Sequence, residues 1–352
     1  MLLPTFRKGD IQIVASYSRM PHYQAYYWLS LSLISQFSVQ KAPWWYKVLP
    51  AITALDGDAL LENLRPKFGM CQHWHSPDLS DFVGCYVLKH NGKKIKFAID
   101  SHDLKDVMSE DALAWSDVYF KANKWDKERY PTKVVPIVNG NGFLRGRHLN
   151  NLKKYRNTPK KCDILFISRI WGGMEHNVKL FEELASLPGK KRLIAIFVSG
   201  TASSQETEDA KKRLEAVGVE CTYDLFPITQ LWQEIAASKL VFIRAGKYMC
   251  IPWRMIDLLC MGACIVTDSD FYPVWPEALK AGQHYVSANI HRPADTSSAS
   301  FQEFEKIRAT VLPLLEDESK QNQLRYNSAS YYDNYANPVK VGKYILSQVL
   351  QR

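Results

Sequence analysis

DILFIS at 163–168, NVKLFEELASL at 177–187 and RLIAIFVS at 192–199 decide the fold of this chain. The first and last segments are apolar at nearly every position, so a strand formed by either needs cover on both faces. The segment between them puts Val178, Phe181, Leu184 and Ala185 on one side of a helix. Strands apolar on both faces, alternating with amphipathic helices, specify a parallel sheet covered on both sides. The alternation continues through a helix at 207–217, a strand at 219–223, a helix at 228–238, a strand at 240–244, a helix at 253–261 and a strand at 263–267. Crossovers of this kind build a doubly wound, Rossmann-like domain. Amphipathic helices at 301–315 and 339–350 close the chain.

Toward the N-terminus the same alternation is sparser. A β-branched run at 11–15 precedes a Ser/Arg/Pro turn, and 23–37 reads as a buried helix. KIKFAI at 94–99 is a strand that ends on Asp100-Ser101-His102-Asp103. Short strands follow at 118–121 and 134–138, the last stopped by Asn139-Gly140-Asn141-Gly142. The expected organisation is a Rossmann-like domain at 1–150, a second at 151–335, and a C-terminal helix at 336–352.

Composition narrows the class. With 352 residues, 46% of them apolar, the chain can bury two cores. The net charge of +9 favours anionic partners without choosing among them. The excess is uneven: 130–162 holds no Asp or Glu, and seven Lys or Arg fall between Arg145 and Lys161. That composition suits an exposed linker between domains and an anionic membrane surface as its partner. No ribonucleoprotein, zinc-finger or helix-turn-helix signature supports nucleic acid. The seven cysteines form no CxxC pair and read as reduced thiols in the cytoplasm. No long apolar run marks a signal peptide near the N-terminus, and 25–37 is too short and serine-rich to span a bilayer.

The ordered series of segments resembles the GT-B glycosyltransferases, especially the family-four group. KVVPIVNGNG at 133–142 is similar to the last strand of that family's N-domain, and DILFISRI at 163–170 to the first strand of its donor domain. Ser168 stands where the family has Gly, and Arg169 matches its Arg. LWQEIAASKLVFIRA at 231–245 resembles the helix and strand before the donor loop. PWRMIDLLCMGACIVTD at 252–268 is the nearest match, with Asp257 at the family's acidic position. Met249 replaces a Glu eight residues earlier, and no Lys follows Arg169 closely. The R-x-x-D spacing is also similar to exostosin-like GT-B groups.

The resemblance implies two Rossmann-like domains facing across a cleft, with C-terminal helices packing back toward the N-domain. It implies transfer of a hexosyl or deoxyhexosyl group from a nucleotide sugar to a glycan or lipid-linked glycan, in bacterial cell-surface polysaccharide synthesis on the cytoplasmic face of a membrane. A departing diphosphate needs cations or backbone amides to hold it. Arg169 and Arg244 end strands, Lys247 follows in the next loop, and Arg254 and Asp257 begin a helix; these five are the expected donor residues. Asp257 would accept ribose hydroxyls, or be a surface acid paired with Arg254. Asp100, His102 and Asp103 would supply the acceptor-side base, or cap the next helix. His73 and His75 are the second choice. Asp268-Ser269-Asp270 spells a metal motif but sits in a strand-end loop, so no metal or other cofactor is expected. KAPWWYK at 41–47 reads as core, with acceptor stacking or a membrane interface as alternatives. An epimerase of the same shape and a basic nucleic-acid-binding protein are the rival readings.

Overall fold

The computed structural model of the chain describes residues 8–16, 21–39, 82–140, 152–170, 174–198, 204–290 and 303–352. It divides into two units, Met1–Arg145 with Asn337–Arg352, and Gly146–Ala336.

The first unit is built on β1 (Gln12–Ala15), α1 (Ala25–Ser32), β2 (Gln36–Val39), β3 (Val83–His90), β4 (Lys93–Asp100), α2 (Glu110–Trp115), β5 (Val118–Lys121) and β6 (Val134–Pro136). The sheet order is β2-β1-β3-β4-β5-β6. β4, β5 and β6 run parallel, whereas β3 is antiparallel to both β1 and β4. The sheet is therefore mixed. Its antiparallel pair turns on Asn91-Gly92, with φ of 48° and 75°. Both central residues of such a two-residue hairpin turn need positive φ, which Asn and Gly tolerate. The helix expected over 23–37 stops at Ser32, and Gln36–Val39 alternates exposed and half-buried residues as the edge strand β2. α2 starts where Ser109 accepts a capping bond from the Ala112 amide, 3.1 Å, with Glu110 and Asp111 in its first turn.

The second unit holds β7 (Cys162–Ile170), α3 (Met174–Ser186), β8 (Lys191–Phe197), α4 (Ser204–Ala216), β9 (Glu220–Thr222), α5 (Ile228–Ala236), β10 (Ser238–Ile243), α6 (Met255–Met261), β11 (Ile265–Thr267), β12 (Val286–Ser287), α7 (Glu305–Glu316) and α8 (Glu318–Tyr331). Every strand pair is parallel, in the order β12-β11-β10-β7-β8-β9. The chain starts at β7, works outward to β9, then returns to β10 and works outward the other way. That is the doubly wound order, and its reversal lies between β7 and β10. Phe166 of β7 anchors the core, with ring centroids 4.5 Å from Phe181 of α3 and 5.4 Å from Phe242 of β10. α6 ends at Gly262, whose φ of 63° makes the left-handed cap that glycine favours.

A π-helical turn, Tyr332–Ala336, follows α8 and leads into α9 (Pro338–Leu350). α9 belongs to the first unit, where Tyr344 donates from its hydroxyl to Pro136 O, 2.9 Å. The return of the last helix toward the N-terminal part of the chain is thus present.

Candidate donor site

Ligands of doubly wound sheets bind outside the carboxyl ends of the strands where the order reverses. In the second unit, Arg169 lies at that end of β7 and Arg244 directly follows β10. Arg254 is the N-cap residue of α6 and donates from Nη1 to Ile167 O of β7 at 3.0 Å. One bond thereby ties the head of α6 to the strand that carries Arg169. Burial pulls the Arg254 guanidinium below its ordinary pKa; Asp257 opposes that shift and the neighbouring Arg169 adds to it. Two guanidinium groups held close together in this way make a strong local field for an anion.

Arg244 is braced by a second group of side chains. Its Nη1 donates to Asn177 Oδ1, and its Nε lies 3.8 Å from Asp268 Oδ2. His176 Nε2 lies 4.0 Å from the same oxygen. The other Asp268 oxygen accepts from the Ala245 amide at 2.9 Å and the Ser269 hydroxyl at 3.3 Å. Asp268 is only 1% exposed, so it acts as an internal counter-charge that sets the direction of Arg244. His176 and Asn177 occupy the first turn of α3. The sequence reading passed over both. The signal was their place at the head of the helix that follows the first donor-domain strand.

Asp257 departs from its expected role. It is 0% exposed, and its Oδ2 accepts from Trp232 Nε1 of α5 at 3.1 Å. A ribose needs a carboxylate at a surface, and this one is enclosed between α5, α6 and the Arg254 charge. It positions Trp232 and Arg254. Lys247 opens a short turn, Lys247–Met249, in which Tyr248 and Met249 both have positive φ, 57° and 56°. Two consecutive residues of this kind outside glycine are strained backbone, which collects at ligand-binding loops. Asp268 and Asp270 do not form a metal pair. Asp268 points inward as described, whereas Asp270 is exposed and contacts the Tyr285 hydroxyl, whose pKa is raised by burial and then by that carboxylate. Among the described residues no three His, Cys, Asp or Glu side chains gather as metal ligands.

In the first unit, Asp100 ends β4 as half of a buried ion pair. Lys121 Nζ donates to its Oδ2 at 3.0 Å, with both side chains 0% exposed. The same oxygen accepts from the Tyr119 hydroxyl at 2.9 Å and the Met108 amide at 3.1 Å, while Oδ1 accepts from the His102 amide at 3.0 Å. Four donors fill this carboxylate, so it anchors the 101–108 loop and has no approach to an acceptor hydroxyl. His102 uses Nδ1 to accept from the Leu104 amide at 3.0 Å. An amide only donates, so the neutral ring carries its proton on Nε2. The expectation of a general base at Asp100 or His102 is corrected on these two geometries. Asp103 is partly exposed, and its carbonyl accepts from Asn123 Nδ2. His73, His75 and the 41–47 loop lie outside the described residues.

The basic stretch is also altered by its contacts. Arg156 makes a two-pronged pair with Asp333, Nη1 to Oδ2 at 2.8 Å and Nη2 to Oδ1 at 3.1 Å, and Lys153 joins at 2.7 Å. Lys160 Nζ donates to Ala236 O at 2.7 Å. Lys153, Arg156 and Lys160 thus have partners within the second unit, Lys153 while exposed like Lys154 and Lys161, and Arg145 and Arg147 lie outside the described residues. No helix among the described residues is long and apolar enough to cross a membrane.

No protein-family model and no curated protein matches the chain. It is similar to solved glycosyltransferases. One is Anabaena Alr3699/HepE, in complex with UDP and glucose, at 13% identity and a TM-score of 0.45, covering 69% of this chain and 65% of that one. Another is a glycosyltransferase from Rickettsia africae ESF-5, at 14% identity and a TM-score of 0.41, covering 67% and 64%. A third is the apo form of the lipopolysaccharide outer core galactosyltransferase WaaB, at 13% and 0.45, covering 69% and 65%. The chain spans slightly less than two thirds of the length of these proteins. At such identities and TM-scores the likeness assigns no activity.

Proposed function

We propose that the chain is a GT-B glycosyltransferase that binds the diphosphate of a nucleotide sugar at the carboxyl ends of β7 and β10. The observation that carries this reading is the convergence of Arg169, Arg244 and Arg254 on the reversal point of an all-parallel sheet. A nucleoside diphosphate leaves with negative charge, and pre-set cations stabilise that charge most where it develops. Arg244 is fixed by Asn177 and Asp268, and Arg254 by Ile167 O, so neither needs to reorganise during transfer.

The acceptor in this reading is a hydroxyl of a glycan or lipid-linked glycan, and the transferred group a hexose or deoxyhexose destined for a bacterial surface polysaccharide. The reaction runs in the cytoplasm without a metal. A panel of UDP, GDP, dTDP and CMP sugars tests the proposal by calorimetry and by product analysis. One nucleotide class should bind, with transfer or slow hydrolysis that persists in EDTA. Interconversion of the sugar without release of nucleotide would make the chain an epimerase. Failure to bind any of the four would overturn the reading.

A further inference from the structure

The donor residues lie at the carboxyl ends of the second unit's strands. The amino ends of the same strands hold a different cluster, in which Lys160 precedes β7 and Arg325 belongs to α8. Both side chains reach the short stretch of backbone that enters β10. Lys160 Nζ donates to Ala236 O at 2.7 Å, and Arg325 Nη2 donates to Lys239 O at 3.1 Å. The other partners of Arg325 are neutral as well, Asn322 Oδ1 at 2.7 Å and Gln321 Oε1 at 3.0 Å. Its Nε is buried and finds no acceptor, and a buried donor left unsatisfied lowers stability. Among the described residues neither cation makes an ion pair with an acid. Asp163 of β7 is already held by Lys239 Nζ at 2.7 Å and by the Lys190 amide at 2.7 Å. The Cys264 thiol, just before β11, is buried and thereby pushed up to about 12, so it stays neutral. Two cations thus meet on one stretch of backbone without a counter-charge.

That setting makes Lys160 nucleophilic. Burial, and then the charge of Arg325, pull its ammonium down to about 8, while Cys264 opposes the shift. Near pH 7.5 about a quarter of such amines are neutral, against about one in a thousand for an ordinary exposed lysine. We propose that Lys160 is a carbamylation site, at which Nζ adds carbon dioxide and Arg325 holds the carbamate that forms. In this step the Nζ lone pair makes the N–C bond, one C–O π pair moves onto oxygen, and one proton leaves the nitrogen for water. Nothing is oxidised or reduced, and carbon dioxide is the sole co-reactant. The product keeps one N–H, so the bond to Ala236 O survives. Its oxygens supply the acceptor that Arg325 Nε lacks, in a charge-assisted bond of the stronger kind. An acyl group on the same nitrogen would remove the lysine charge but leave the guanidinium without an anion. A carbamate turns a pair of like charges into a pair of opposite ones, and it forms only on the neutral amine. This inference does not rest on the donor site, so either can fail without the other.

The test equilibrates the full chain with isotopically labelled bicarbonate near neutral pH. Carbamates are then trapped as esters with a trialkyloxonium salt and located by peptide mass spectrometry. The label should appear on Lys160 and be at least about tenfold scarcer on Lys161, its exposed neighbour. This contrast lies within the wild type and needs no variant to fold. Lys160→Arg should carry no label at position 160. Arg325→Gln should reduce the label on Lys160 about tenfold, because the charged partner of the carbamate is gone. Melting gives a second readout: bicarbonate should raise the wild-type melting temperature above that in chloride of equal ionic strength, and leave Lys160→Met unmoved. Absence of label from Lys160, equal label on Lys160 and Lys161, a yield indifferent to Arg325→Gln, or an equal rise in melting temperature for Lys160→Met would each overturn the proposal.

Discussion

Asp100 shows how one residue's surroundings decide between chemistry and architecture. A carboxylate after a strand, beside a histidine, has the local look of a base. Its four donors and its buried partner Lys121 make it an anchor instead. Removing one member of a buried pair strands the other, which costs about 3–5 kcal/mol. Lys121→Met should therefore lower stability by about that amount in urea titrations, and Asp100→Asn should melt early while keeping turnover below its melting point. A stable Asp100→Asn protein with turnover lost would return Asp100 to the chemistry. Lys160 gives a pH-dependent counterpart. Burial pulls its ammonium down to about 8 from the ordinary 10.5. Between those values the unfolded chain binds more protons, so this group's destabilising effect is full below pH 8 and fades as pH rises toward 10.5. The melting difference between Lys160→Met and wild type should favour the variant most near pH 7 and shrink across that window; a constant difference would contradict the assignment. The strand-end places of Arg169 and Arg244 were legible from the ends of their apolar runs. The bracing of Arg244 was not, because it joins residues 177, 244 and 268, and local pattern carries no such contact.

Elements were legible where burial imposes a strong pattern. β7, β8 and β10 are apolar on both faces, and α3 buries Val178, Phe181 and Leu184 as its spacing requires. The misses have physical reasons. β3 has the composition VGCYVLKH, apolar at one end and basic at the other, and only the Asn91-Gly92 turn betrays it. β2 is four residues at a sheet edge, too short for its alternation to stand out from the end of α1. α8 is polar along most of its length, ESKQNQLRYNSASY, and is set by contacts such as Gln321 Nε2 to Leu314 O at 2.8 Å. Arg156 links three elements at once. Its Nε donates to Cys260 O in the last turn of α6 at 2.9 Å, and its fork holds Asp333 in the π-helical turn. Charged hydrogen bonds contribute about 1.5–3 kcal/mol. Arg156→Ala should lose about 2 kcal/mol of stability, and Arg156→Lys should recover only part because an ammonium cannot fork. Full recovery by Lys would reduce the interaction to simple charge pairing.

At the scale of the whole molecule, the central claim is that guanidinium groups at the strand ends of the second unit bind the diphosphate of a nucleotide sugar. Arg169 is the cleanest probe, because it is exposed and has no ion pair with an acid among the described residues, so its removal should leave folding intact. Losing one charged contact to a diphosphate should weaken binding roughly 10- to 100-fold. The decisive measurement is calorimetric titration of the preferred nucleoside diphosphate into wild type and Arg169→Ala, alongside their melting temperatures. The expected result is an unchanged melting temperature and a Kd raised at least tenfold. Wild-type affinity in a folded Arg169→Ala protein would contradict it.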